Sequence, residues 1–360
     1  MTTDGENGKL GAPSILTFAE FMRAALYDEG GGYYMRSSDQ FGRGGDFYTA
    51  SQIHNYFGEA LSEDFAAADR TLRHPPVFTI VELGPGRGEF AGDALMAIQA
   101  RHHNLFTRLH YICCEISPAL RDEQKRRLNQ FGVKVSWIGH LEELAGSVTG
   151  VFFANEFFDA LPCHLVRSRD GALCEMYVRR SASGRDEWID DRLSEPKLDE
   201  YWRRVGASLE EGQRAEINLV AIEWLEKIAR KLERGWLLTV DYGDLAPRLY
   251  SPDKIAGTLR CFHRHRLSDD PLVSVGEQDI TANVNFTALI EYGRDFGLKT
   301  IEFTRLTDYL IGLGLLKRAA ELAQTGGDDP QSLQHRLALK QLFLPQGLAG
   351  SFRVLKQERS

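Results

Sequence analysis

The chain has 360 residues, 43% hydrophobic and 26% charged, with a net charge of −8. At roughly 100–200 residues per domain this is two domains or one enlarged one, long enough to bury a core without disulfide staples. The acid excess keeps a protein soluble or suits a cationic ligand, and the absence of a basic stripe argues against a dedicated nucleic-acid binder.

Cys113, Cys114, Cys163, Cys174 and Cys261 are odd in number and form no C-x-x-C pair, which argues against structural zinc and for free thiols in a reducing compartment. No run reaches the ~20 apolar residues of a membrane span. Residues 1–13 are polar and Gly-rich, without an apolar leader or an arginine. We therefore expect a cytoplasmic protein with a disordered N-terminus over 1–16.

In chain order, Thr17 and Glu20 form a capping box ahead of a helix that Gly30-Gly31-Gly32 ends. Gly32 to Ala50 is aromatic and Gly-rich, too irregular for one element, and a helix from about Ile53 to Ala68 follows. From Val77 the pattern changes. "VFTIVELG" reads as a buried strand, Phe90 to Arg101 as a helix, and "HYICCEI" as a second strand. Ser117 caps the next helix with Pro118 at its first position. "VKVSWI" is a third strand and "GVFFANEFFDALP" a fourth running into a turn. Strands alternating with helices imply parallel βαβ units.

Residues 163–192 break that rhythm with a hairpin about Arg169-Asp170-Gly171 and a third strand at "EWIDDRL". "EINLVAIEWLEKIARKLERG" reads as one amphipathic helix closing at Gly235, and "WLLTVDYGD" as a fifth strand. Residues 246–285 read as irregular, and the run from Arg260 to Arg266 as a solvated loop or a partner-binding patch. Phe286 to Phe296 is a helix, "LKTIEF" a sixth strand, and Leu306 to Gln324 mostly helical. "SFRVLKQ" closes the sheet as an antiparallel strand.

Glu82-Leu-Gly84-Pro-Gly86-Arg-Gly88 follows a strand and precedes a helix. Glycines there let a ligand approach the backbone. Glu89 stands where the dinucleotide fingerprint has its last glycine, and an acid opening the loop disfavours a pyrophosphate. Glu82 can attract the ammonium of a methionine moiety, while a tight βα turn without a ligand has the same residues. Glu115 ends the second strand, where a carboxylate can accept from both ribose hydroxyls, or simply be solvated. It lies further from the glycines than the ~20 residues of dehydrogenases, which suits a methyltransferase better. His140 and Leu141, after the third strand, are the candidates for adenine. Asn155, Glu156, Phe157, Phe158 and Asp159 cluster at the fourth strand's end, where adenosylmethionine enzymes present the methyl. The two phenylalanines serve equally as packing and Asp159 as a turn cap.

"FMRAALYDEGGGYY", "GRGGDFYTA", "FGEAL", "VELGPGRGEF", "EISPALRDEQ", "FANEFFDALP", "TVDYGD", "GTLRCFHRHR", "GEQDITANVNF" and "SFRVL" occur together and in order. From Thr17 to Leu355 the chain resembles the MidA-like methyltransferases, the group that includes the mitochondrial complex I assembly-factor methyltransferase. The resemblance implies a seven-stranded doubly wound (Rossmann-like) α/β sheet, an N-terminal helical cap over 17–76, and a methyltransferase domain over 77–360 with insertions at about 163–192 and 246–285. It implies S-adenosylmethionine as cofactor and arginine in a protein partner as acceptor. Gly84, Gly86, Gly88 and Glu115 would bind the cofactor, Gly45, Asp46 and Phe47 would close over it, and Asn155, Glu156 and Asp159 would line the reaction site with Asp46 as helper. Phe47 or Tyr48 would sit near the sulfonium. The chain departs from the family pattern at Ser51-Gln52, Asn283 and Asn285, toward the substrate side. A small-molecule acceptor and a non-catalytic assembly factor are the competing readings, and the oligomeric state, a homodimer included, is left open.

Overall fold

The structure is a computed structural model describing residues 14–36, 56–180, 185–263, 266–268, 270–325 and 350–360. Gly45, Asp46, Phe47, Tyr48, Ser51, Gln52 and Arg264 lie outside the described residues, as do residues 1–13. Contacts divide the chain into two units.

The larger unit takes in Ser37–Asp159, Ile222–Asp244 and Val284–Ser360. Its sheet is built from β1 (Phe78–Leu83), β2 (Leu109–Cys114), β3 (Val135–Ile138), β4 (Val148–Asn155), β5 (Leu232–Asp244), β6 (Lys299–Arg305) and β7 (Phe352–Arg359). The order is β6-β7-β5-β4-β1-β2-β3, with the short pair Val284–Asn285 alongside the end of β5. Strands β3, β2, β1, β4 and β5 are mutually parallel, and β7 runs antiparallel to both β5 and β6. The result is an α/β fold on a mixed sheet.

All six positions of β1 are buried, as expected of a strand covered on both faces. Helices α1 (Tyr56–Thr71) and α2 (Glu89–Arg101) pack closely because position 58 is glycine, where a Cβ would fall 2.7 Å from that of Asp93. Phe57, Phe65 and Phe90 converge on Phe153 of β4, with Phe90 and Phe153 centred 4.4 Å apart. The chain runs from β1 outward through β2 and β3, then returns to β4 on the other flank of β1. Ligands of open parallel sheets bind at such a reversal, beyond the carboxyl ends of the strands.

The smaller unit takes in Met1–Arg36, Ala160–Ala221 and Leu245–Asn283. The capping box is present: Thr17 Oγ1 accepts from Glu20 N at 3.2 Å while Thr17 N donates to Glu20 Oε2 at 2.8 Å. Residues Ser14–Thr17, Ala172–Arg180, His164–Arg169 and Arg214–Ile217 form an antiparallel sheet in that order, with Asp186–Asp191 also paired to Ala172–Arg180. Asp170 (φ 52°) and Gly171 (φ 72°) make the expected hairpin turn, both in the left-handed region that a two-residue loop of this kind needs.

Several elements differ from the sequence reading. Arg214–Ile217 is a strand, its Ala215 paired with Val166, and the helix after it spans only Leu219–Lys231. Polar and apolar residues alternate over those four positions, a period-2 pattern that merges into the helical one downstream. Gly235 lies inside β5 rather than capping the helix. Its φ is 134° and a Cβ there would meet the Gly150 carbonyl of β4, so it serves a close approach of two backbones. Residues 246–285 hold a three-stranded sheet of Arg266–Ser268, Arg260–His263 and Asp279–Thr281, so part of the supposed solvated loop is strand, with Cys261 fully buried. The helical region after Leu306 divides into Leu306–Gly312 and Leu315–Thr325 at Gly314 (φ 93°).

Candidate active site

All of the described sequence-predicted site residues lie in the larger unit, at the carboxyl ends of β1 to β4. Gly84, Gly86 and Gly88 have φ of 60°, 53° and 74°, a conformation that side chains strain. A Cβ on Gly84 would stand 3.1 Å from Phe157 and one on Gly88 3.2 Å from Gln124. One on Gly86 would meet nothing within 4 Å among the described residues. The loop thus presses against its own fold at both ends and is open in the middle.

Glu82 sits below that loop, 3% exposed, accepting the Tyr111 hydroxyl at 2.7 Å. Burial, reinforced by the Glu115 charge, pushes its carboxyl up to about 8 against the Tyr111 hydrogen bond. Glu115 is 6% exposed at the end of β2, where Oε1 accepts from Ser117 N at 2.8 Å and Oε2 from Gln124 Nε2 at 3.4 Å. Burial raises it to about 7, the hydrogen bonds opposing.

Gln124 was not singled out in the sequence. From α3 (Pro118–Leu128) its Nε2 donates to the Gly86 carbonyl at 2.7 Å, and its Oε1 accepts from Trp137 Nε1 of β3 at 3.0 Å. One fully buried amide therefore ties the glycine loop, Glu115 and β3 together. Its signal was faint: Leu120, Gln124 and Leu128 share a face at four-residue spacing, an apolar stripe interrupted by one polar residue. His140 is exposed ahead of the short turn Leu141–Glu143, and Leu141 is buried.

β4 ends at Asn155, whose Nδ2 donates to Glu156 Oε1 at 3.2 Å. Asn155 Oδ1 is buried with no hydrogen-bond partner among the described residues, an arrangement that native folds rarely leave without a ligand or water. Glu156 has φ of 49° and donates its N–H to the Val240 carbonyl at 3.0 Å. Phe157 packs edge-on against Trp224 at 4.9 Å and Phe158 is buried. Asp159 is 5% exposed, and with Glu156 it acts electrostatically on Tyr242.

Asp241 of β5 is the second residue that sequence reasoning missed, although an acid inside the apolar run "WLLTVD" is itself a signal. It is fully buried, and its Oδ2 accepts the backbone N–H groups of Phe157, Phe158 and Asp159 at 3.2, 3.0 and 3.4 Å. Burial, with Glu156 adding, pushes its carboxyl above the usual range. Tyr242, beside it, is pushed up by burial and by Glu156, Asp159 and Asp241. Glu82 and Glu115, both buried beside the glycine loop and both raised, suit a ligand that brings positive charge.

Of the positions that depart from the family pattern, Asn285 caps the helix Phe286–Asp295, its Oδ1 accepting from Ala288 N at 3.3 Å. Asparagine and aspartate cap equally well. Among the described residues no helix is long and apolar enough to cross a membrane.

Residues 60–304 match the model of a family described as "Putative S-adenosyl-L-methionine-dependent methyltransferase". A Drosophila melanogaster protein named "Protein arginine methyltransferase NDUFAF7 homolog, mitochondrial" is 32% identical over 295 residues, 74% of this chain and 64% of its own length. The mouse protein named "Protein arginine methyltransferase NDUFAF7, mitochondrial" is 26% identical over 96% of this chain and 81% of its own. A Burkholderia thailandensis protein solved with S-adenosyl-homocysteine bound superimposes with a TM-score of 0.84 at 28% identity, over 96% of this chain and 88% of that one. The chain thus spans just under two thirds of the fly relative's length.

These names overturn the expectation of a cytoplasmic protein, since the fly and mouse relatives are mitochondrial. Body composition reads the redox state that keeps thiols free, which the cytosol does not own, and carries no address. The family match over most of the chain means that the chain belongs to the S-adenosylmethionine-dependent methyltransferases described by that model.

Proposed function

We propose that this protein methylates arginine in a protein partner, on a seven-stranded doubly wound sheet. The observation that carries the reading is Glu115, a nearly solvent-free carboxylate beside a cradle with room at Gly86. The arginine acceptor comes from the relatives' names. The unpartnered Asn155 Oδ1 and the cluster of acids fit a cofactor with an amine and a sulfonium.

S-adenosylmethionine, when bound, supplies an electrophilic methyl on a positively charged sulfur. Glu115 would hold the ribose hydroxyls, the backbone of Gly84, Gly86 and Gly88 would take the amino-acid tail, and Glu82 would attract its ammonium. His140 and Leu141 would serve the adenine and Asn155 Oδ1 would accept from the cofactor, a set to which the family resemblance adds Gly45 and Asp46. Glu156 and Asp159, with Asp46 as helper, grip the acceptor guanidinium as a fork and aim one nitrogen. Glu156, steadied at Oε1 by Asn155 Nδ2, takes the proton that this nitrogen sheds. Alignment and exclusion of water supply most of the rate.

Tritiated methyl transfer in a mitochondrial lysate tests this, with products split into protein and small-molecule fractions. Label should appear in protein and elute as methylarginine after hydrolysis. Label confined to small molecules refutes the acceptor, and label in neither fraction refutes the enzyme.

A further inference from the structure

Asp241 stands within β5 beside the Val240–Asn155 pairing, in a buried run whose other polar side chain short of Tyr242 is Thr239. A carboxylate without solvent survives there only with donors around it. Four backbone N–H groups provide them: Tyr242 donates to Oδ1 at 2.8 Å, and Phe157, Phe158 and Asp159 donate to Oδ2.

Three consecutive amides reach one oxygen only where the chain curls around it. The curl begins at Glu156, whose φ of 49° is disfavoured for a side chain with a Cβ. The last ladder bond, Glu156 N to the Val240 carbonyl, comes from the residue next to the clamp. The corner carrying Asn155, Glu156 and Asp159 is thus cast against a side chain more than eighty residues away in sequence.

We propose that Asp241 is a positioning residue for methyl transfer, which fixes the acceptor-side carboxylates by gathering the amides of Phe157, Phe158 and Asp159 onto one oxygen. This rests on the reading of that corner as the acceptor site. Asparagine is no substitute: whichever way its amide turns, an NH2 group faces backbone N–H donors.

The test uses the full chain, tritiated S-adenosylmethionine and, in its unmethylated form, the protein acceptor that the lysate assay identifies. Asp241→Asn should lower kcat about a hundredfold, the scale of a small misplacement of reacting groups, with the Kd for S-adenosylhomocysteine within about threefold of native. Asp64→Asn is the comparison, a buried carboxylate of the same unit that holds Lys356 and Tyr309 at 2.5 Å each. It should lower Tm and leave kcat of the folded fraction unchanged. Native kcat in Asp241→Asn overturns the proposal, as does an equal kcat loss in Asp64→Asn. Should Asp241→Asn not fold, amide exchange in the native protein decides: the amides of Phe157, Phe158 and Asp159 should exchange as slowly as those of β4, and turn-like exchange overturns the clamp. A native protein that methylates no protein sinks the acceptor reading instead.

Discussion

Tyr111 donates its hydroxyl proton to Glu82 Oε2 at 2.7 Å, two side chains on neighbouring strands that no solvent reaches to any useful extent. The bond joins the floor of the glycine loop to β2. Removing the hydroxyl leaves a buried carboxyl without this donor, which costs about 1–3 kcal/mol. Tyr111→Phe should therefore unfold at lower urea with an unchanged slope. A midpoint equal to native would show that the hydroxyl contributes nothing.

Protonation supplies a second prediction. Glu82 and Glu115, raised to about 8 and about 7, hold protons in the folded chain that the unfolded chain has released. Where the folded state binds more protons, stability falls as pH rises. Their contribution is whole below about pH 4.5 and is lost as pH climbs through 7 to 8. Asp69 and Glu175, held below the usual range by hydrogen bonds from Arg108 and His164, act in the opposite direction, but only in more acid solution. The unliganded protein should thus lose stability from about pH 5 to 8. Glu115→Gln should flatten part of that slope, and a mutant slope identical to native would contradict the assignment.

Cofactor affinity should move the other way. Two ribose hydroxyls are best met by an ionised Glu115, so binding pulls its proton off. Between pH 6 and 8 the Kd for S-adenosylhomocysteine should tighten about tenfold, and calorimetric enthalpies should vary with the ionisation enthalpy of the buffer as a proton is released. In Glu115→Gln both effects should vanish. A pH-independent native Kd would falsify the ribose contact.

How far the site was legible depends on what each residue acts through. The placement of Glu115 and the glycines was readable because it is set by neighbours a few positions away: a strand, a tight loop and a helix start. Gln124 and Asp241 were not, because each acts on a backbone segment 38 and 82–84 residues distant. Only the order of strands in the sheet brings those segments together. The same distinction explains Gly235, which looks like a helix end and is instead half of a contact with Gly150. The helices were read well where a local cap marked them, as at Thr17 and Ser117. They were misread where a short strand, Arg214–Ile217, led straight into a helix.

Gly84 and Gly86 separate fold from ligand. Alanine at either position meets a left-handed φ, a strain of about 1–2 kcal/mol. At Gly84 the new methyl also presses on Phe157 at 3.1 Å, whereas at Gly86 it meets none of the described residues within 4 Å. Gly84→Ala should show the larger loss of Tm. Gly86→Ala should stay nearer native in Tm and, if the cradle takes the cofactor as proposed, lose at least tenfold in cofactor affinity. Full affinity in Gly86→Ala would mean the cradle faces something other than the cofactor.

Gln124 allows the sharpest separation of packing from electrostatics. Gln124→Leu keeps most of the volume but strips the Gly86 carbonyl, Glu115 and the Trp137 indole of a partner at once. Stability should fall by about 1–3 kcal/mol, Trp137 emission should shift, and cofactor Kd should weaken at least tenfold as the loop loses its tie. Gln124→Glu is nearly isosteric and can still accept from Trp137, but it sets a second carboxylate against Glu115. Like charges at that distance raise the carboxyl that is already elevated. The pH at which cofactor affinity is half-maximal should therefore move upward in Gln124→Glu, with the plateau affinity at high pH still weakened. Gln124→Leu should raise that midpoint less, because it removes the donor at 3.4 Å that holds Glu115 down but adds no charge. If both variants bind with native affinity and an unmoved midpoint, Gln124 is filler in α3 and the glycine loop is held by its own turn.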